Sequence, residues 1–370
     1  MQSDALKARQ RALRTLIVDR IRHQGPIPMS EFLELALYHK TQGYYTSHAH
    51  PIGHRGDFTT ASEISPILPQ CLANTIDIIH QQHPVETVLE LGAGTGRLLA
   101  NLIDSLAQKK IRPHYQILEI SPSRIAEQQQ VLKQAMTQDQ HSIEWIDTLP
   151  KHSVNGVVIA NEVLDAICFE RFRYTNGTIE LCHVDDDFQP HFRPWHPKDN
   201  SLDYLLSTSS SWPDGYTNEI RPLTHAWITG LAEALASGAI FILDYGYGQR
   251  EYYHPERING SLRCYHQHTT NINPFIHLGQ QDITCDVDFT AVAMAATDNQ
   301  LTVEGYLSQA NYLMNSGCHQ LLRNCNPQAL QQAKQVFMPN HMGDRFKIIG
   351  LSKHIPPLEH FNQYNQNHLL

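Results

Sequence analysis

From residue 87 onward, short aliphatic and β-branched runs alternate with stretches in which apolar residues recur every three or four positions. The runs at residues 87–91, 115–120, 142–146, 156–160 and 239–244 read as strands. Between them Leu98, Leu102 and Leu106 share one helical face, as do Leu223, Trp227, Leu231 and Leu235. Strands separated by amphipathic helices require a mostly parallel sheet with helices on its faces, an α/β architecture. Residues 288–298 continue the helical pattern, and residues 301–306 and 345–352 add two more strands, the last at the sheet edge, which makes seven.

Two stretches break this rhythm. Residues 172–184 alternate around Asn176-Gly177, a pair that tolerates positive φ at both positions and so predicts a hairpin inserted after the fourth strand. Residues 246–286 are rich in Tyr, His, Gly and Asn without a period, too long for an idle connection and expected to form a cap on the substrate side. Ahead of the sheet, Leu6, Leu13, Leu16, Ile17 and Ile21 keep helical spacing through the basic start from Lys7 to Arg22, which reads as a surface helix and not as a transit peptide. The expected organisation is therefore an N-terminal helical segment with a substrate-side loop over 1–86, a main domain over 87–352 interrupted at 171–221 and 247–286, and a tail over 353–370.

Composition narrows the function classes. A net charge of -9 disfavours phosphate backbones, which reward clustered Lys and Arg, so a protein or small-molecule partner is expected and nucleic acid is not. No apolar run is long enough to span a membrane. Seven cysteines without a CxxC pair fit free thiols, and with them a reducing, cytoplasmic setting of bacterial type.

The chemistry begins where the first strand turns into a helix, at Leu89-Glu90-Leu91-Gly92-Ala93-Gly94-Thr95-Gly96. Glycines there let backbone N–H groups approach a ligand at a helix N-terminus. The spacing is GxGxG. A nicotinamide loop would place its third glycine where Arg97 stands, and a P-loop would need Lys followed by Ser or Thr. Glu119, at the end of the second strand, is placed for a carboxylate that accepts both ribose hydroxyls of a nucleoside, and Asp147, past the third, for an acceptor of an adenine amino group. At the end of the fourth strand Asn161, Glu162 and Asp165 should face the cleft, because open α/β sheets bind ligands at the carboxyl ends of their strands. Cys264, His266 and His268 lack an evident fourth ligand, so no metal is expected; His268 reads instead as a substrate-pocket or proton-relay residue.

Several motifs follow in one order: Arg55-Gly56-Asp57-Phe58-Thr59-Thr60-Ala61-Ser62-Glu63-Ile64-Ser65-Pro66, LELGAGTGRL, LEISPS, NEVLDA, DYG at 244–246, GSLRCY at 260–265 and DITCDVDF at 282–289. Over about residues 26–352 the chain resembles the MidA family of methyltransferases, which includes a mitochondrial complex I assembly factor that methylates arginine. The resemblance implies a Rossmann-like, seven-stranded class I methyltransferase core and S-adenosyl-L-methionine as donor. It places Gly92, Gly94 and Gly96 around the methionine part and Glu119 on the ribose, and Glu90, Ala93, Ile120, Asp147, Asn161 and Glu162 are expected to complete the donor site. The implied acceptor is an arginine of a partner protein, and a homodimer is compatible with it. Cys168 stands where the family usually has Pro, and Ser261 where it has Thr, small changes that bear on the substrate more than on the cofactor.

An arginine acceptor suits the residues. A guanidinium is planar and permanently cationic, and needs carboxylates to orient it and localise charge on the attacking nitrogen. Glu162, Asp165 and Glu170 are the candidates, with Asp165, Glu162 and His268 expected to act in catalysis. Methylation of a small molecule or another side chain would use the same donor residues, and a noncatalytic assembly chaperone retaining the fold is a third reading. Titration with the donor separates the chaperone from the enzymes.

Overall fold

The strand runs fold as the central sheet of the computed structural model, which describes residues 2–46, 60–135, 142–196, 201–323 and 325–370. We number its strands β1 (Thr87–Leu91), β2 (His114–Leu118), β3 (Ile143–Ile146), β4 (Val154–Asn161), β5 (Leu235–Tyr247), β6 (Thr302–Ser308) and β7 (Phe346–Lys353). They lie in the order β3-β2-β1-β4-β5-β7-β6, parallel except for β7, and the two residues Val287–Asp288 extend the sheet beside the end of β5. Chain order reverses between β1 and β4, whose carboxyl ends therefore open a crevice.

Each face of the sheet is covered. On one side Leu72, Ile76, Leu98, Leu102 and Leu106 pack with Val88, Ile117 and Ile159; on the other Ile228, Leu231, Phe289 and Val292 pack with Leu89, Val158 and Ile240. A strand buried on both faces has no polar side to show, which is why the middle of β4 reads as a continuous apolar run, whereas β1 carries one buried carboxylate, Glu90. One expected helical face is shorter than the pattern suggests: the helix spans Thr224–Ala234, and Leu235 already belongs to β5, where it pairs with Val154 ahead of a bulge. Leu223, just before that helix, is half exposed.

The breaks in the rhythm build a roof. Asn176 and Gly177 take φ of 51° and 78° between strands Glu170–Thr175 and Thr178–Val184, the turn that their residue types favour. This hairpin joins a sheet with Pro190–Pro194, Thr217–Ile220 and Ile27–Pro28, so the start of the N-terminal segment is stitched to the insertion, while its later helix Ile67–Gln82 packs on the main sheet. Leu13, Ile17 and Ile21 of helix Gln2–Gln24 are buried against helix Met29–Tyr38, Phe169 and the insertion residues Cys182, Leu262 and Ile283. Arg263–His266, Thr269–Asn271 and Asp282–Thr284 form a second small sheet inside the 247–286 stretch.

Beyond β7 the chain doubles back along β6. Gln366 donates its backbone N–H to the Tyr306 carbonyl, and Asn367 Oδ1 accepts from the Tyr306 N–H, each at 2.7 Å, while Phe361 is buried beneath Gly305 and Gly350. The stretch expected as a tail thus covers a strand edge that would otherwise offer unpaired backbone groups.

Candidate active site

The crevice holds a cavity of about 520 Å³. Its floor is the turn after β1. Gly92, Gly94 and Gly96 take φ of 57°, 54° and 83°, left-handed values that explain the residue type, and helix Arg97–Gln108 starts directly after them. A Cβ on Gly92 would meet only Val163 at 3.6 Å, so this glycine answers to backbone conformation and an approaching ligand, not to crowding. Ala93 and Glu90 line the same wall. Glu90 is 2% exposed, and its Oε2 has no hydrogen-bond partner among the described residues. Burial, reinforced by the nearby Glu119 charge, pushes its carboxyl up to about 8. An orphaned buried oxygen beside a glycine turn fits a ligand with a polar or cationic group at that point.

Glu119 follows β2 and is held twice: Oε1 accepts the Ser121 backbone N–H and Oε2 accepts the Gln128 side-chain amide, both at 2.9 Å. Ile120, beside it, is 57% exposed and lines the cavity as an apolar surface on which a flat base could rest. Asn161, at the end of β4, donates Nδ2 to Glu162 Oε1 at 3.3 Å. Glu162 takes φ of 55° there, and desolvation together with the Asp165 charge raises its carboxyl to about 8.

The other end of the cavity draws on distant segments. Asp165, 7% exposed, accepts Tyr245 Oη at 2.5 Å and Thr284 Oγ1 at 3.3 Å through Oδ2, while its Oδ1 has no partner among the described residues. Asp244 lies behind it, accepting the Asp165 backbone N–H at 3.1 Å. Burial raises both carboxyls; Tyr245, Arg221 and Thr284 oppose that for Asp165, and the Asp165 charge adds to it for Asp244. Tyr45 stacks on Tyr38 and donates to Asp282 at 2.6 Å, and both tyrosines and Asp282 line the cavity with Tyr245, Tyr265 and Arg345. Arg221 does not reach it as a free cation, since its guanidinium is spent on the carbonyls of Asp165, Ile167, Cys285 and Asp286.

The structure thus brings Glu90, Gly92, Ala93, Gly94, Glu119, Ile120, Asn161, Glu162 and Asp165 to one cavity, with Gly96 starting the adjoining helix. Three expected residues lie elsewhere. Asp147 is exposed past β3 and is not among the lining residues, because β3 stops one residue earlier at the outer edge of the sheet. His268 sits exposed with φ of 61° in the turn between Arg263–His266 and Thr269–Asn271, paired with Gln267 at 47°; there it shapes a hairpin and does not line the cavity. Glu170 accepts the Ser30 N–H at 3.2 Å and the Ser30 hydroxyl, binding the roof to helix Met29–Tyr38 outside the cavity. Residues 55–59 of the first motif, and the histidines at 48, 50 and 54, fall outside the described residues.

Sequence reasoning missed Tyr38, Tyr45, Tyr245, Asp282 and Gln128. Tyr245 and Asp282 stood inside quoted motifs and could have been found there; Gln128, in a glutamine run of helix Pro122–Ala135, gave no signal.

Comparison with known proteins agrees with this geometry. A family model for S-adenosyl-L-methionine-dependent methyltransferases matches residues 70–307. A structure from Burkholderia thailandensis bound to S-adenosyl-homocysteine is similar at 31% identity and a TM-score of 0.92, covering 99% of this chain and 98% of that one. Among named proteins, the mitochondrial protein arginine methyltransferase NDUFAF7 of Mus musculus is 24% identical over 90% of this chain and 83% of its own length, and that of Xenopus laevis is 26% identical over 93% and 85%. With the residues expected on the donor side gathered on one cavity and the family model spanning most of the sheet, the chain belongs to the S-adenosyl-L-methionine-dependent methyltransferases.

Proposed function

We propose that the protein transfers a methyl group to an arginine side chain of a partner protein. The carrying observation is the acceptor end of the cavity, where Glu162, Asp165 and Asp282 meet among tyrosines. Burial raises the carboxyls of Glu162 and Asp165, and the Asp165 charge adds to it for Glu162, so both are most readily ionised when a cation enters and the site selects a positively charged acceptor. The arginine methyltransferases among the relatives support the same reading.

In this mechanism the donor supplies an electrophilic methyl on a sulfonium. Glu90 and the glycine turn hold the donor's methionine part, and Glu119 its ribose. Glu162 and Asp165 orient the guanidinium and pull positive charge away from the attacking nitrogen. The N–C bond forms as the C–S bond breaks, leaving S-adenosyl-homocysteine, and the displaced proton passes to the unpartnered Oδ1 of Asp165. Positioning supplies most of the acceleration. No role for His268 or Asp147 enters this scheme.

The test is incubation with labelled donor and paired peptides that differ only by Arg or Lys, followed by acid hydrolysis and amino-acid analysis. Label in methylarginine is expected. Label confined to lysine, or to a small molecule in a metabolite extract, overturns the arginine reading while leaving the methyltransferase.

A further inference from the structure

One side chain does not line the cavity yet is bonded to two pieces of its wall. Gln128 is fully buried on helix Pro122–Ala135. Its Nε2 donates to the Gly94 carbonyl at 3.0 Å and to Glu119 Oε2 at 2.9 Å, and its Oε1 accepts the Trp145 indole N–H at 2.9 Å. The backbone of Gln128 also lies 3.4 Å from where a Cβ on Gly96 would sit, so the same residue bounds the third glycine of the turn. Both amide protons and the amide oxygen are thereby engaged, which fixes which way the amide faces: reversed, it would set oxygen against the Gly94 carbonyl and the Glu119 carboxylate.

We propose that Gln128 is a positioning residue for the donor: it locks the carboxylate that receives the ribose to the glycine turn that receives the methionine part, with Trp145 of β3 as its anchor. The inference rests on Glu119 serving the ribose. A free Glu119 would rotate its terminal torsion over a broad well and solvate itself; tied at Oε1 by the Ser121 N–H and at Oε2 by Gln128, it presents remaining lone pairs in a set direction. A charge-assisted bond of this kind inside the protein is also worth more than its exposed counterpart, and it couples the two halves of the donor site without contact between them.

The experiment measures affinity by calorimetry, independent of turnover, for S-adenosyl-homocysteine, 5′-methylthioadenosine and 2′-deoxy-5′-methylthioadenosine. The wild type is expected to lose about tenfold on removal of the 2′-hydroxyl. Gln128→Met, of similar volume but without donors, is expected to bind S-adenosyl-homocysteine about tenfold more weakly and to lose less than about threefold on 2′-deoxygenation, because Glu119 is no longer aimed. In a double-mutant cycle with Glu119→Gln the two losses should fall well short of adding. Trp145→Phe, which removes only the anchor, should give a smaller loss in the same direction. A purely structural Gln128 would lower the melting temperature and leave the 2′-deoxy ratio at the wild-type value, and that result overturns the proposal. If Gln128→Met fails to fold, Gln128→Leu, of similar volume and likewise without donors, takes its place, and the same ratio decides. Full affinity in Glu119→Gln would instead remove the ribose reading, and the proposal with it.

Discussion

The two ends of the cavity are built differently. In the proposed reading the donor end comes from residues 90–96 and 119–120, at the carboxyl ends of parallel strands, residues 161–162 border both ends, and a reader of the sequence meets all of them as short motifs. The acceptor end gathers Tyr38 and Tyr45 from the N-terminal segment, Asp282 from the roof, and Asp165, Tyr245 and Arg345 from beside or within main-sheet strands, elements scattered across the whole chain. A cofactor of fixed shape can be met by one local device, a strand, a glycine turn and a helix N-terminus. An acceptor is met by whatever side chains the sheet ends, the N-terminal segment and the insertions deliver together, which is how one fold comes to serve many substrates.

Breaking the donor end at its centre should give the largest effect. Gly94→Val forces a β-branched residue to φ of 54° beside the ligand and is expected to weaken donor binding by roughly 1,000-fold or more with the sheet intact. Calorimetric titration alongside circular dichroism checks it; normal affinity would mean that the turn is structural only.

At the acceptor end, Asp165→Asn should lower turnover by roughly 100-fold and leave donor affinity within about twofold. Because burial disfavours the Asp165 charge, the amide should hold or raise the melting temperature. Turnover, affinity and melting temperature measured on one preparation separate a catalytic Asp165 from a structural one, for which turnover would stay unchanged.

Glu119→Ala is expected to weaken donor binding by roughly 30-fold, about 2 kcal/mol, since two ribose hydroxyls lose a charged acceptor. A dissociation constant within twofold of wild type excludes it from the nucleoside site.

The two ends share one pH signature. Glu90 and Glu162 are each raised from an ordinary 4.5 to about 8. Between those values the folded protein holds protons that the unfolded chain has released, so their stabilisation is complete below about 4.5 and is lost as pH rises through about 8. The melting temperature of the donor-free protein should therefore fall from pH 5 to pH 8, and Glu90→Gln should flatten that fall. An unchanged slope in Glu90→Gln would mean that Glu90 does not carry it.

The smallest effect is expected at His268. His268→Asn, which tolerates the positive φ of its turn, should leave turnover within about twofold across pH 6 to 8. A larger loss measured in steady-state assays would return His268 to the acceptor side.

By itself the sequence determined the strands, because a strand buried on both faces is written as an apolar run wherever it stands, and it determined the donor turn, because left-handed φ selects glycine at Gly92, Gly94 and Gly96. It also determined the Asn176-Gly177 hairpin for the same local reason. Tertiary structure alone decided what the insertions do. The N-terminal helix is amphipathic in sequence, but that its face lies on the inserted sheet and not on the core follows from the pairing of Ile27 with Val184, residues whose separation carries no periodic signal. For the same reason Glu170, near Glu162 and Asp165 in the chain, turns to Ser30, while Asp282, more than a hundred residues later, joins them at the cavity. A carboxylate's place along the chain sets its neighbours only within a turn or a strand; beyond that, packing chooses which buried charges face one another and which of them a ligand will meet.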